Sequence, residues 1–179
     1  MGKKSFGILV GGGPAPGING VISSATIEVI NRGHKVFGIS NGFELIAKGN
    51  KNCIKEFSIE DVSRIHSKGG SILGTSRYNP RNNPQELKKI IEILTEKEIK
   101  YLLTIGGDDT ASSAGSLAEI AQGKICVGHV PKTIDNDLPL PERDSTFGFQ
   151  SARSAGTEIS ETLMVDAKTT TRWYFMVTM

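Results

Sequence analysis

Two carboxylates stand side by side in TIGGDDTASSAG, residues 104–115, directly after a strand-like run that ends in two glycines. Asp108 and Asp109 repel each other, so their adjacency needs a counter-charge or a use. A hard cation such as Mg2+ is held by one or two carboxylates and completes its shell with water and phosphate oxygens. The competing reading of Asp109 is a helix N-cap, its oxygen accepting from the N–H of Ala111 or Ser112. A second dense polar stretch, PKTIDND at 131–137, follows another apolar run. Asp135 or Asp137 could accept a proton from a substrate hydroxyl, and Lys132 could stabilise charge on a transferring phosphoryl group. An Asx-rich turn would use the same residue types. The third stretch is GGGPAPGING at 11–20. Glycines let a backbone approach a ligand, and a helix behind them offers free N–H groups and a positive dipole end, so the loop is built for an anion. It is not the dinucleotide fingerprint, because Pro16 takes the place of the third glycine, and it is not a Walker A loop, because Ile18 stands where lysine is needed.

Each stretch needs a strand before it. SFGILV (5–10), YLLTIGG (101–107) and ICVGHV (125–130) are unbroken apolar runs, and KVFGIS (35–40) is a fourth. Ile18, Val21, Ile22, Ala25 and Val29 recur at helical spacing, with a stop at Gly33. Asn83, Pro84 and Glu86 open a second helix with a capping-box-like pair, and Leu87, Ile90, Ile91 and Leu94 form its apolar face. A small-residue helix follows the paired aspartates, and a long one covers roughly 150–167. WYFMVTM at 173–179 reads as a further β-prone run, and 41–82 is loop-rich with no clear period. Strands alternating with helices, and strands apolar on both faces, predict a doubly wound, mostly parallel α/β sheet with helices on both sides. In such sheets ligands sit beyond the carboxyl ends of the strands, where all three polar loops fall.

Composition bounds the function classes. The 179 residues carry a formal net charge of +2, too mild for a nucleic-acid partner. No apolar run approaches the roughly 18–20 residues of a membrane helix. The start, MGKKSF, is too polar for a signal peptide, and Phe6 breaks the myristoylation pattern. Cys53 and Cys126 match no metal spacing, so free thiols in a reducing cytoplasm are expected, with Cys126 buried in its strand.

In their order and spacing, GGGPAPGIN, GTSR (74–77), TIGGDD and PKTIDND resemble the phosphofructokinases over essentially the whole chain, with TIDND the most specific element. The resemblance implies two similar α/β lobes with the active site between them, and phosphoryl transfer to the 1-hydroxyl of fructose 6-phosphate, a step of glycolysis. It implies a role for each matching residue. Gly12 and Arg77 would lie by the donor phosphates, and Asp108 would serve Mg2+. Asp135 would be the base on the sugar hydroxyl, with Thr133 beside it holding the sugar phosphate. Asp137 would support the metal's water shell or orient the loop. In the family an arginine seven residues before a Met-Gly-Arg motif reaches fructose 6-phosphate, often across a subunit boundary. Arg172 stands seven before Met179 and would take that role in a homo-oligomer.

Two departures address the paired carboxylates. ATP-dependent members usually carry glycine at the positions of Asp109 and Lys132, and the pair present here resembles the pyrophosphate-dependent branch. A glycine leaves room for the nucleotide α-phosphate, whereas Asp109 fills that space with bulk and like charge. Lys132 then supplies positive charge to pyrophosphate and its leaving phosphate. Pro14, where many members have aspartate, has no account. The resemblance also implies a second lobe beyond residue 179, so residues 1–179 would form the N-terminal donor- and substrate-binding lobe, inactive alone. Two alternatives stand beside this reading: an ATP-dependent 6-phosphofructokinase and a non-catalytic binding lobe. NAD and lipid kinases share a GGDG motif but not TIDND.

Overall fold

The computed structural model describes residues 2–138, 140 and 145–177. β1 (Ser5–Val10) leads through α1 (Ile18–Asn31) to β2 (Lys35–Ile39). α2 (Glu44–Ala47), a 3-10 turn (Lys51–Cys53), β3 (Ile54–Phe57) and α3 (Ile59–Val62) follow. α4 (Pro84–Glu96), β4 (Ile99–Gly106), α5 (Asp108–Ala121), β5 (Cys126–Pro131) and α6 (Phe149–Thr170) complete the chain.

The strands lie in the order β3-β2-β1-β4-β5. β1 pairs in parallel with β2 and β4, β4 pairs in parallel with β5, and only β3 runs antiparallel. Alternation along each strand sorts side chains into two cores. Leu9, Ile39 and Leu102 join Leu87, Ile90 and Leu94 of α4 and Leu117 of α5. Ile8, Val10, Val36 and Ile105 join Ile18 and Ile22 of α1 and Val62 of α3. Helices therefore cover both faces, as the unbroken apolar strands require. The chain moves from β1 to one side through β2, then returns to the other side at β4. This reversal creates a crevice at the carboxyl ends of β1 and β4.

Several expectations need correction. The 41–82 segment holds α2, β3 and α3 rather than loop alone; α3 has a full capping box, Ser58 with Asp61 at the third position. Asn83 caps α4 by accepting from the Glu86 N–H, but the Glu86 carboxylate accepts from Tyr78 Oη at 2.7 Å and closes no box. Cys126 is exposed, because β5 is one of the two edge strands among the described residues. Trp173–Val177 form no strand and are largely exposed, and residues 178 and 179 of that predicted run lie outside the described residues. α6 buries none of its residues. Among the described residues, no helix is long and apolar enough to cross a membrane.

Candidate active site

Three backbone bonds gather the three loops. Gly11 N–H donates to Ile105 O at 2.8 Å, which ties the end of β1 to the end of β4. Lys132 N–H donates to Gly106 O at 2.8 Å, which ties the loop after β5 to the same strand. Gly12 N–H donates to Ser76 O at 2.9 Å, which draws in the GTSR segment. The joint is tight: a Cβ on Gly11 would sit 2.3 Å from Thr110 Oγ1, and one on Gly106 would sit 2.4 Å from the same atom. These two glycines let the first turn of α5 press against both strand ends. Gly12 is different, since its φ of +81° is a backbone state that favours glycine.

The loops enclose a cavity of about 250 Å3. One wall is Gly12 and Gly13, a second is Ser76–Tyr78, a third is Gly107–Thr110, and the fourth is Lys132, Thr133, Asp135, Asp137 and Leu138. Lys132 is only 7% exposed, and its Nζ donates to Gly13 O at 2.7 Å. A Cβ on Gly13 would lie 3.8 Å from Arg77 Nη2, so two cations border one glycine loop. Burial pushes the Lys132 ammonium below its usual pKa; the Asp135 carboxylate opposes that shift, and the Arg77 guanidinium adds to it. The 133–135 turn is fixed from within: Asp135 N–H donates to Thr133 Oγ1 at 3.1 Å, and the buried Thr146 hydroxyl donates to Thr133 O.

Asp108 and Asp109 are the first two residues of α5. Gly107 occupies the N-cap, and no side chain caps the helix. The N-cap reading of Asp109 is therefore corrected. Both carboxylates project from the first turn, where the helix dipole favours negative charge. Asp109 Oδ1 accepts instead from Asn79 Nδ2 at 3.0 Å.

The profile of the phosphofructokinase family matches residues 5–179. The chain belongs to the phosphofructokinase family. It is 60% identical, over 98% of its length, to a pyrophosphate–fructose 6-phosphate 1-phosphotransferase of Thermotoga maritima, and it spans 42% of that relative. It is 49% identical, over 98% of its length and 40% of the relative's, to the protein of the same name from Naegleria fowleri. Among solved structures, phosphofructokinase from Saccharomyces cerevisiae superimposes with a TM-score of 0.81 at 26% identity, covering 93% of this chain and 25% of that one. The chain thus spans about two fifths of the relatives it matches in sequence.

Gly12, Arg77, Asp108, Asp109, Lys132, Thr133 and Asp135 all line one cavity. Arg172 does not; it follows the C-cap of α6 and borders a separate hollow of about 240 Å3 with Trp173 and Tyr174. Among the described residues, no group of three or more His, Cys, Asp or Glu could hold a metal by itself. The carboxylates of Asp108 and Asp109 are of the type that could hold a hard cation together with the phosphates of a ligand. Sequence reasoning did not single out Thr110, whose side chain forms the strand-end joint, or Asn79, which holds Asp109. Thr110 directly follows the paired aspartates, and Asn79 lies two residues after Arg77, so adjacency to the motifs was the available signal.

Proposed function

We propose that residues 1–179 form the donor- and substrate-binding lobe of a pyrophosphate-dependent 6-phosphofructokinase. The enzyme transfers a phosphoryl group reversibly from pyrophosphate to the 1-hydroxyl of fructose 6-phosphate. The observation that carries the reading is that Asp109 and Lys132 face the same small polar cavity as the glycine loop. The cavity's lining is dominated by charged and polar groups, Arg77 and Lys132 with Asp108, Asp109, Asp135 and Asp137, which supports a highly charged donor.

In this reading Gly12 and Arg77 hold the donor phosphates, and Asp109 denies room and charge to a nucleotide α-phosphate. Asp108, with Asp109 beside it, would hold Mg2+, which when bound neutralises phosphate charge. Thr133 and Asp135 meet the sugar. The sugar oxygen bonds to the transferred phosphorus as the bridging P–O bond of pyrophosphate breaks. The hydroxyl proton passes to Asp135, and the electron pair leaves with the departing phosphate, which Lys132 stabilises. Asp137 orients the loop. Arg172, outside this cavity, serves the fructose 6-phosphate of a neighbouring copy in a homo-oligomer.

The deciding experiment measures kcat/KM of the full-length enzyme with pyrophosphate and ATP in parallel. Pyrophosphate should be preferred, and Asp109→Gly should raise the ATP value. A preference for ATP would replace this reading with an ATP-dependent 6-phosphofructokinase.

A further inference from the structure

Asp109 is not held by its own helix alone. The segment that follows Arg77 crosses over the first two turns of α5 and is fastened there at several points. Asn79 Nδ2 donates to Asp109 Oδ1 at 3.0 Å, while Asn79 Oδ1 accepts from Ser113 Oγ at 2.7 Å. The same Oδ1 accepts from the Arg81 backbone N–H at 3.0 Å, and Arg81 Nη1 donates to Ser112 Oγ at 3.0 Å. The amide orientation is forced by chemistry: an ionised carboxylate can only accept, and a backbone N–H can only donate. Ser113 is 1% exposed, and its single hydroxyl proton lies between two acceptors, Asn79 Oδ1 at 2.7 Å and Asp109 O at 3.0 Å. Between the two polar residues Pro80 is buried, and its carbonyl accepts from Asn83 N–H at 2.8 Å, which sets the segment into the start of α4.

Ser76–Tyr78 and Gly107–Thr110 both line the cavity. Next to them, three side-chain bonds, two of them exposed, tie Asn79 and Arg81 to Asp109, Ser112 and Ser113. We propose that Asn79 is a specificity-determining positioning residue, which acts by holding the Asp109 carboxylate in place at the edge of the cavity. The proposal rests on the reading of Asp109 given above. A carboxylate free to rotate excludes less than one tied at one oxygen. Asn79 touches no reacting atom, so its effect should appear in the choice of donor.

The test uses the full-length enzyme and four proteins: wild type, Asn79→Ala, Asp109→Gly and the double variant. The readout is the ratio of kcat/KM for ATP to that for pyrophosphate. Asn79→Ala should raise the ratio about tenfold, the scale of one lost hydrogen bond to a charged group. In the Asp109→Gly background the same substitution should change the ratio by less than threefold, because the group it positions is gone. Asn79→Asp, isosteric and repelling Asp109, should raise the ratio too; it gives a second reading should the alanine variant fold poorly. A ratio that stays within threefold of wild type in both Asn79 variants, while Asp109→Gly raises it, would overturn this proposal and leave the donor assignment standing. Equal effects of Asn79→Ala with and without Asp109 would also overturn it. A wild type that prefers ATP would remove both.

Discussion

Lys132→Met in the full-length enzyme separates charge from volume at the centre of the cavity. The side chain is 7% exposed and its Nζ lies 2.7 Å from Gly13 O, so its position is set before any ligand arrives. A unit charge about 4 Å from developing charge is worth roughly 4 kcal/mol at an effective dielectric of about 20. Removal of one preorganised donor from an enzyme site costs about 2.7–4 kcal/mol. The two estimates agree on a loss of roughly 10²–10³ in kcat/KM with pyrophosphate. Stability should move the other way. Burial lowers the Lys132 pKa from 10.5, so the folded protein binds this proton less tightly than the unfolded chain does. Between the lowered value and 10.5 the unfolded chain carries more of the proton, so this group's contribution to stability rises with pH across that window. Below it the charge is held at a full cost. Lys132→Met should therefore melt no lower than wild type at neutral pH, and any gain should shrink as pH climbs toward 10.5. Wild-type activity should also fall through an alkaline limb below 10.5 that the variant lacks. A variant within threefold of wild type in kcat/KM would refute the charge argument. One that loses both rate and melting temperature at pH 7 would make Lys132 a strut instead.

Asp135→Ser should cut turnover by roughly two to four orders of magnitude with KM for fructose 6-phosphate changed far less, measured by steady-state kinetics; near-normal turnover would remove the residue from proton transfer. Activity should vanish in excess chelator and return with Mg2+, and Asp108→Asn should raise the Mg2+ concentration at half-maximal rate about tenfold or more, on the scale of one lost charge-assisted contact. Gly106→Ala and Gly11→Ala should each destabilise by about 1–3 kcal/mol in denaturant titrations, since a Cβ there meets Thr110 Oγ1 at 2.4 and 2.3 Å. Thr110→Ala should rescue the Gly11 variant in part but not the Gly106 variant, whose Cβ would still lie 2.6 Å from Thr110 Cβ and 2.9 Å from Gly11 O.

Long apolar runs made β1 and β4 readable, because a strand buried on both faces needs no alternation; β5 was readable from its run although none of its residues is fully buried. Helical spacing did the same for α1 and α4. The region from 41 to 82 resisted because its elements are about one turn or one short strand long, too brief for a period to emerge. β3 is also exposed at Lys55 and Glu56, as an edge strand can be, so it lacked an apolar signature. Cys126 and the Trp173 run misled for one reason: an apolar sequence reports that a face wants cover, and among the described residues β5 and the segment after α6 lack it. The cavity was legible as three polar loops at strand ends, but which strand ends adjoin was not. Their meeting depends on β1 and β4 being neighbours, a pairing between residues about ninety positions apart that no local pattern announces.

The glycines of this cavity do two kinds of work, and the difference explains how a polar site can sit on an apolar sheet. Gly12 supplies a backbone state, with φ at +81°, that turns the chain beside the buried Lys132 ammonium. Gly11 and Gly106 supply space: without side chains, they admit Thr110 between two strand ends. Close packing at that joint brings the α5 N-terminus, with two carboxylates, against the loop that accepts from a lysine. Opposite charges are thus brought to the rim of one cavity without being paired to each other. None of the salt bridges among the described residues links Lys132 or Arg77 to Asp108, Asp109 or Asp135. Cations already locked to those carboxylates would have to give up a partner to meet a phosphate. Held apart by the scaffold, they meet a phosphate and its metal without that exchange, which is the condition for electrostatic stabilisation at low reorganisation cost.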